Sequence, residues 1–136
     1  MPNSARHILV VDDSAEFLAF MQAMLDAEGF GVDIAADFGA ARRLLSTRRP
    51  DLVISDVRLP GVEPFGILDV LAASDQMRGV PVLFCTAGVE EVRAAADRLN
   101  REGVAVLFKP FDIDDLFQQI ACLFAPGNDD RPARHS

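Results

Sequence analysis

Residues 8–13 read Ile8-Leu9-Val10-Val11-Asp12-Asp13, an apolar, β-branched run that stops at two adjacent carboxylates. An uninterrupted run of this kind is typical of a strand that is covered on both faces of a parallel sheet. Three further apolar runs also deliver a polar residue: Asp56 after 52–55, Thr86 after 80–85, and Lys109 after 104–108. Because parallel strands end at one edge of a sheet, where open α/β folds bind ligands, we expect these ends to form a small acidic pocket.

Helix-like segments separate the apolar runs, and a further short strand is expected at 32–35. Within the first helix, Phe17, Leu18, Met21 and Leu25 recur at helical spacing and are expected to face the sheet. Five β/α units result, which predicts an α/β fold with a parallel sheet. The predicted helices run from the cap Ser14 to about Gly29, from the cap Asp37 to about Thr47, from Pro64 to about Ala73, from Val89 to Arg101, and onward from the cap Asp112.

Length and composition fit one globular domain of 136 residues, half of them hydrophobic. The net charge of −8 argues against a nucleic-acid-binding surface, which needs clustered lysine and arginine. The first seven residues lack the apolar stretch of a signal peptide, and no segment is long enough to span a bilayer, so we expect a cytoplasmic protein. Residues 1–125 are expected to form the domain, and residues 126–136 a polar tail or linker stub without an output domain. Cys85 and Cys122 are expected to be reduced core thiols.

The adjacent carboxylates Asp12 and Asp13 can reach one site where the chain turns at the strand end. Two carboxylates held together repel each other, and a hard divalent cation relieves the repulsion by sharing their charge. Mg²⁺ prefers a few carboxylates together with waters and a phosphate oxygen. The alternative is that one of the two aspartates caps the following helix while the other is a solvated loop residue.

Asp56 ends a very apolar strand, where a carboxylate is costly unless something pairs with it. Aspartate can attack phosphorus and form an aspartyl phosphate. Lys109 would supply a second positive charge and Thr86 a hydroxyl donor, and phosphoryl transfer needs mainly positioning and charge neutralisation. Taken singly, each residue has a plainer reading, as a helix cap, a surface lysine or a strand-end threonine. Their joint appearance at successive strand ends favours the pocket.

These residues carry a family resemblance: from about His7 to Phe124 the chain resembles a response-regulator receiver domain of two-component signalling, of the CheY-like kind. The motifs are weak one by one and specific in this order and spacing. They are Ile8-Leu9-Val10-Val11-Asp12-Asp13, Ile54-Ser55-Asp56-Val57-Arg58-Leu59-Pro60-Gly61, Leu83-Phe84-Cys85-Thr86-Ala87 and Phe108-Lys109-Pro110-Phe111.

The resemblance implies a doubly wound, flavodoxin-like fold with a five-stranded parallel sheet in the order 2-1-3-4-5. It implies that Asp56 accepts a phosphoryl group from a histidine kinase or a histidine phosphotransfer protein. It further implies a Mg²⁺ site made by Asp13, Asp56 and the backbone carbonyl of Arg58, with Asp12 helping through water. Thr86 and Lys109 would contact the phosphate. The protein would be a signalling module rather than an enzyme with its own substrate, and a monomer or a phosphorylation-dependent homodimer.

Two positions depart from the family pattern. Receivers usually carry an acidic residue followed by glycine in the loop after the phosphoacceptor, whereas here Glu63 is followed by Pro64, which stiffens the turn. Receivers also often carry an aromatic residue three positions before the lysine, whereas here that position is Val106. We therefore expect the phosphorylation chemistry to be retained and the switch to be altered. A degenerate receiver that acts as a phosphorylation-independent protein-interaction module is the alternative that these two residues keep open.

Two other classes fit the residues less well. A haloacid-dehalogenase-type phosphohydrolase also uses an aspartate nucleophile and Mg²⁺, but it needs Asp-x-Asp after the first strand, whereas the order here is Asp12-Asp13-Ser14. A flavodoxin-like cofactor binder needs a first loop that cradles phosphate through backbone N–H groups, whereas this loop is acidic. On the first helix, Phe20 and Met24 are expected to be the edge of the buried stripe, with a docking patch as the alternative.

Overall fold

A computed structural model of the protein describes residues 6–125, which form a five-stranded parallel sheet in the order β2-β1-β3-β4-β5. This confirms the predicted fold class and strand order, while the predicted tail at 126–136 lies outside the described residues. The strands are β1 (His7–Val11), β2 (Gly31–Ala35), β3 (Leu52–Ser55), β4 (Val82–Thr86) and β5 (Ala105–Phe108). The helices are α1 (Ala15–Ala27), α2 (Phe38–Thr47), α3 (Gly66–Ala72), α4 (Val89–Ala94), α5 (Ala96–Glu102) and α6 (Ile113–Phe124), with a short 3₁₀ helix at Asp75–Met77.

The sheet is covered on both faces, which explains why its central strands are apolar throughout. Side chains alternate between the faces of a strand, so Ile8 and Val10 of β1 pack with α1 and α6. Leu9 and Val11 point the opposite way and pack with residues of α2 and α3. β1 and β3 are therefore packed between two separate cores. This packing also fixes the positions of the residues that follow these strands.

Helix α1 buries Leu18, Met21 and Leu25, as the sequence predicts. Phe17, which the sequence predicts to face the sheet with them, packs against the same core but is only half-buried. Phe20 is 40% exposed, so the interpretation of Phe20 as the edge of the buried stripe is wrong. The side of α1 that begins next to Asp12 and Asp13 therefore exposes aromatic side chains to solvent.

Two of the three predicted helix caps make the expected hydrogen bond with their side chain. Ser14 Oγ accepts a hydrogen bond from the N–H of Phe17, and Asp37 Oδ1 accepts one from the N–H of Ala40. Asp112 precedes α6 but makes no capping hydrogen bond with its side chain. The predicted helix over 89–101 is divided between α4 and α5 at Ala95. Because alanine favours a continuous helix, the residue type at this position does not signal the break.

The loop after β3 differs from the prediction that Pro64 opens a helix. Pro64 and Phe65 lie in a turn, and α3 begins at Gly66. Phe65 has a left-handed backbone with φ of 65°, which costs a non-glycine residue roughly 1–2 kcal/mol. Its ring is buried edge-on against Phe84, with centroids 5.1 Å apart, and burying a phenylalanine contributes roughly 1.5–3 kcal/mol. Burial therefore offsets the backbone strain.

No helix among residues 6–125 combines the length and the apolar character that a crossing of the bilayer requires.

The two cysteines are both free thiols, but they lie in different surroundings. Cys85 on β4 is fully buried, as predicted, whereas Cys122 on α6 is exposed, so its prediction as a core thiol is wrong. Burial raises the pKa of the Cys85 thiol to about 12. Cys85 therefore stays protonated at neutral pH, and a protonated thiol is a poor nucleophile.

Thiol labelling tests this difference. At neutral pH the native protein is expected to take up one equivalent of a maleimide, at Cys122, because Cys85 is buried and protonated. The denatured protein should take up two, as counted by intact-mass spectrometry. The variant Cys122→Ser is the control, and its native form should remain unlabelled. Rapid labelling of native Cys122→Ser would show that the interior of β4 is open to solvent.

Candidate functional site

Asp12 follows β1 and is almost completely buried, at 1% exposure. Its backbone N–H donates to the carbonyl of Ala35 (3.1 Å), which fixes the residue between β1 and β2. Its Oδ1 accepts from the N–H of Ser14 at 2.9 Å, and its Oδ2 accepts from Lys109 Nζ at 2.7 Å. The next residue, Asp13, is exposed at the mouth of the site. One carboxylate therefore forms the floor and the other faces solvent.

Asp56 follows β3, and its N–H donates to the carbonyl of Val11 at 3.0 Å. Its Oδ1 accepts a hydrogen bond from Thr86 Oγ1 at 2.9 Å. Its Oδ2 lies 3.6 Å from Lys109 Nζ, close enough for electrostatic attraction but beyond a hydrogen bond. Thr86 Oγ1 in turn accepts from the N–H of Gly88 at 3.0 Å. Both oxygens of Asp56 therefore face a group that can stabilise negative charge.

Lys109 follows β5 and reaches over the end of β3 to Asp12. Its N–H donates to the carbonyl of Thr86 at 2.9 Å, and the Lys109–Pro110 peptide bond is cis. Besides its two carboxylate neighbours, Lys109 Nζ lies 4.0 Å from the centroid of the Phe17 ring. Lys109 is also the only lysine in the sequence, since the other twelve basic residues are arginines. The ammonium of the site is thus the single lysine side chain of the protein.

A divalent cation fits the charge and the donors of this site. Oxygen atoms of Asp12, Asp13 and Asp56 lie within 4.8 Å of one another. Three carboxylates beside one ammonium leave a formal charge of −2, which a Mg²⁺ ion would balance. Carboxylate oxygens, with an open side for waters and a phosphate oxygen, are the ligands that Mg²⁺ prefers. The residues present therefore suit this ion.

An ion pair between Arg58 and Glu91 joins the loop after β3 to the first turn of α4. The hydrogen bond from Arg58 lowers the pKa of the Glu91 carboxyl, and the same hydrogen bond raises the pKa of the Arg58 guanidinium. The backbone N–H of Arg58 lies 3.4 Å from Asp56 Oδ1. The residue that pairs with Glu91 through its side chain therefore also contacts Asp56 through its backbone.

The structure brings together all the side chains that the sequence predicts for the site. The contribution of the Arg58 backbone carbonyl to a metal site stays a prediction. The sequence reasoning missed Phe17, because the helical spacing assigned it to the core. A signal did exist, since an aromatic residue one helical turn after Asp12-Asp13 starts near the predicted pocket.

Comparison with known proteins places these features in a family. Residues 8–121 match the family described as the response regulator receiver domain. The DNA-binding response regulator MtrA of Mycobacterium tuberculosis (strain ATCC 25618 / H37Rv) is 32% identical over 133 residues, which cover 98% of this chain and 56% of that protein. The transcriptional regulatory protein FixJ of Bradyrhizobium diazoefficiens is 34% identical over 114 residues, covering 84% of this chain and 54% of that protein.

Solved structures agree with this assignment. The chemotaxis response regulator CheY4 of Vibrio cholerae superposes with a TM-score of 0.77 at 26% identity, covering 88% of this chain and 98% of that one. The chain thus matches nearly the whole of CheY4, but it spans only about half the length of the curated relatives named above.

The crowding of carboxylates predicts a metal-dependent stability. Replacing Asp13 with asparagine removes one of the repelling charges, so Asp13→Asn is expected to unfold about 1–4 °C higher than the wild type in the presence of EDTA. Added Mg²⁺ should raise the melting temperature of the wild type by binding the folded state, and raise that of Asp13→Asn less. Thermal unfolding followed by circular dichroism measures both effects.

Asp75→Asn is the matched control, because Asp75 is an exposed aspartate on the 3₁₀ helix, away from the acidic site. It should respond to Mg²⁺ as the wild type does. An equal response of Asp13→Asn and the wild type would exclude Asp13 from the metal site.

Proposed function

The chain belongs to the response regulator receiver domain family, and on this premise we propose that it accepts a phosphoryl group on Asp56 as one step of a two-component phosphorelay. The donor is a phosphohistidine of a histidine kinase or a histidine phosphotransfer protein. The module acts as a phosphorylated signal rather than as an enzyme with its own substrate, and it works in the cytoplasm. The name of MtrA describes that protein as DNA-binding, and we do not propose DNA binding for this chain.

One observation carries the proposal: the carboxylate of Asp56 lies between a hydroxyl donor and an ammonium, with two further carboxylates beside it. Thr86 Oγ1 is 2.9 Å from one oxygen of Asp56, and Lys109 Nζ is 3.6 Å from the other. A purely structural aspartate would need one partner for its charge. The extra acidic groups around Asp56 make sense when a cation and a phosphoryl group enter the site together.

In the transfer step, an oxygen of Asp56 attacks the phosphorus of the phosphohistidine. A P–O bond forms to the carboxylate, the P–N bond breaks, and its electron pair returns to the imidazole nitrogen, which takes up a proton. The transition state carries its charge on the three phosphoryl oxygens, so catalysis depends on neutralising that charge.

The side chains divide this task. Lys109 Nζ donates to Asp12 but not to Asp56, so it has N–H donors left with which it can reach a phosphoryl oxygen on Asp56. Thr86 Oγ–H can turn from Asp56 Oδ1 to another phosphoryl oxygen. Asp12, Asp13, Asp56 and the Arg58 carbonyl would hold Mg²⁺, which supplies positive charge to the phosphoryl oxygens when bound.

We place the histidine-bearing partner on α1, whose N-terminus starts at the pocket. Phe20 is exposed on this helix, and its ring lies 6.4 Å from the ring of Phe17. An exposed aromatic residue beside the mouth of the site offers apolar contact to a helical partner. The module acts as a monomer or as a phosphorylation-dependent homodimer, and either state leaves this step unchanged.

Phosphorylation is tested by intact-mass spectrometry after incubation with acetyl phosphate, a small phosphodonor. The wild type is expected to gain one phosphoryl group in the presence of Mg²⁺ and none in EDTA. Asp56→Asn should gain none, because the amide is not a nucleophile. The control Asp75→Asn exchanges an exposed aspartate for asparagine in the same way and should be labelled like the wild type.

A degenerate receiver would behave differently. With Val106 in place of an aromatic residue and the turn at Pro64 and Phe65, the fold could serve as an interaction module without phosphorylation. That function predicts no adduct from acetyl phosphate or from a phosphorylated histidine phosphotransfer protein, although the chain is folded. Such a result, together with a melting temperature that Mg²⁺ does not change, would replace the proposed function with this second one.

A further inference from the structure

We infer that Phe17 is a positioning residue for phosphoryl transfer, because the face of its ring holds the ammonium of Lys109 over the acidic pocket. This inference rests on the proposed function. Lys109 Nζ lies 4.0 Å from the centroid of the Phe17 ring, well inside the distance of about 6 Å at which a cation and an aromatic face attract each other. Phe17 belongs to α1, which supplies no acidic or hydroxyl group to the pocket.

The neighbours of the ammonium explain what the ring contributes. Lys109 Nζ donates to Asp12 Oδ2 at 2.7 Å and lies 3.6 Å from Asp56 Oδ2. An ammonium has three N–H donors and no acceptor, so its third side needs a neighbour that attracts positive charge. The side chain of Lys109 is 23% exposed, and without the ring that side would open towards water.

An aromatic face suits a lysine that has to move during the reaction. To reach a phosphoryl oxygen on Asp56, Nζ must turn away from the close contact with Asp12. Attraction to a ring depends little on the orientation of the N–H bonds, so the ammonium can turn without leaving the ring. A carboxylate or amide in the place of Phe17 would hold the ammonium by a directed hydrogen bond and compete with the phosphoryl group.

The ring of Phe17 is itself fixed in place. The ring of Phe111 meets it edge-on, with centroids 6.2 Å apart and planes at 85°. Phe111 lies two residues after Lys109, so the same loop that carries the lysine also carries the support for the ring. Phe17 also packs against the core that lies between the sheet and α1 and α6. The ring can therefore hold Lys109 rather than follow it.

The rate of adduct formation with acetyl phosphate and Mg²⁺ tests the role. Phe17→Leu keeps an apolar side chain but removes the aromatic face, and we expect a rate about three- to tenfold below the wild type. Phe17→Tyr keeps the face and should restore most of the rate.

The matched control is Phe124→Leu, which removes a ring from a second cation–aromatic pair, where the guanidinium of Arg6 lies 4.3 Å from the ring centroid. That pair is at the opposite end of the sheet, so this variant should react as fast as the wild type. A wild-type rate in Phe17→Leu, or a rate in Phe17→Tyr as low as that of Phe17→Leu, would overturn the inference.

A spectroscopic measurement tests the contact without any phosphoryl transfer. Because Lys109 is the only lysine, protein labelled with ¹³C-lysine gives one set of lysine side-chain signals. The ring current of Phe17 is expected to move the Lys109 ε-methylene protons upfield in the wild type and in Phe17→Tyr, and not in Phe17→Leu.

The two measurements separate the possible failures. Lys109 signals at the position of an unfolded chain in the native wild type would overturn the inference, even if the variants did not fold. A wild type that shows the ring-current shift but takes up no phosphoryl group would refute the proposed function and leave the placement of Lys109 by Phe17 intact.

Discussion

The ion pair between Lys109 and Asp12 is the interaction on which the acidic site depends. It joins residues 97 positions apart and spans the end of β3, so that the last strand closes over the first. Asp12 is buried, and a buried carboxylate without a partner costs several kcal/mol, on the order of the stability of a small domain. The ion pair with Lys109 offsets this cost, and it also places the positive charge of Lys109 close to Asp56. The contact that allows the fold to bury Asp12 is also the one that prepares the site for a phosphoryl group.

The parallel sheet makes this arrangement possible with few residues. Every strand of the sheet runs in the same direction, so the turns after β1, β3 and β4 all open at the same edge. The site therefore requires only a suitable polar residue at the end of each of these strands, namely Asp12, Asp56 and Thr86. Their backbones are then fixed by the ladder, as in the hydrogen bond from the N–H of Asp56 to the carbonyl of Val11. The chemistry of the site therefore rests on the ends of hydrogen-bonded strands.

The fold and the chemical groups of the site could be predicted from the sequence because both follow from local patterns. The apolar runs predicted the strands, and the polar residues that follow four of these runs predicted the pocket. Contacts that depend on packing could not be predicted in the same way. The split between α4 and α5 falls at Ala95, a residue that favours a helix. The left-handed backbone of Phe65 depends on the burial of its ring against Phe84, and the exposure of Cys122 depends on how α6 rests on the sheet. Phe17 has the helical spacing of a core residue, and only the path of the Lys109 side chain brings the ammonium over its ring.

The single lysine of this chain has a consequence for amine chemistry. Apart from the α-amino group, Lys109 is the only amine that an acylating reagent, a reductive methylation or an acetyl transferase could modify. Acylation would turn its ammonium into a neutral amide and leave the buried carboxylate of Asp12 without its counter-charge. Modification of most proteins at lysine changes a surface, whereas in this protein it would reach the centre of the acidic site. Amine coupling to a sensor surface or a dye would therefore act as an inhibitor of the site, and attachment through the exposed thiol of Cys122 would leave it untouched.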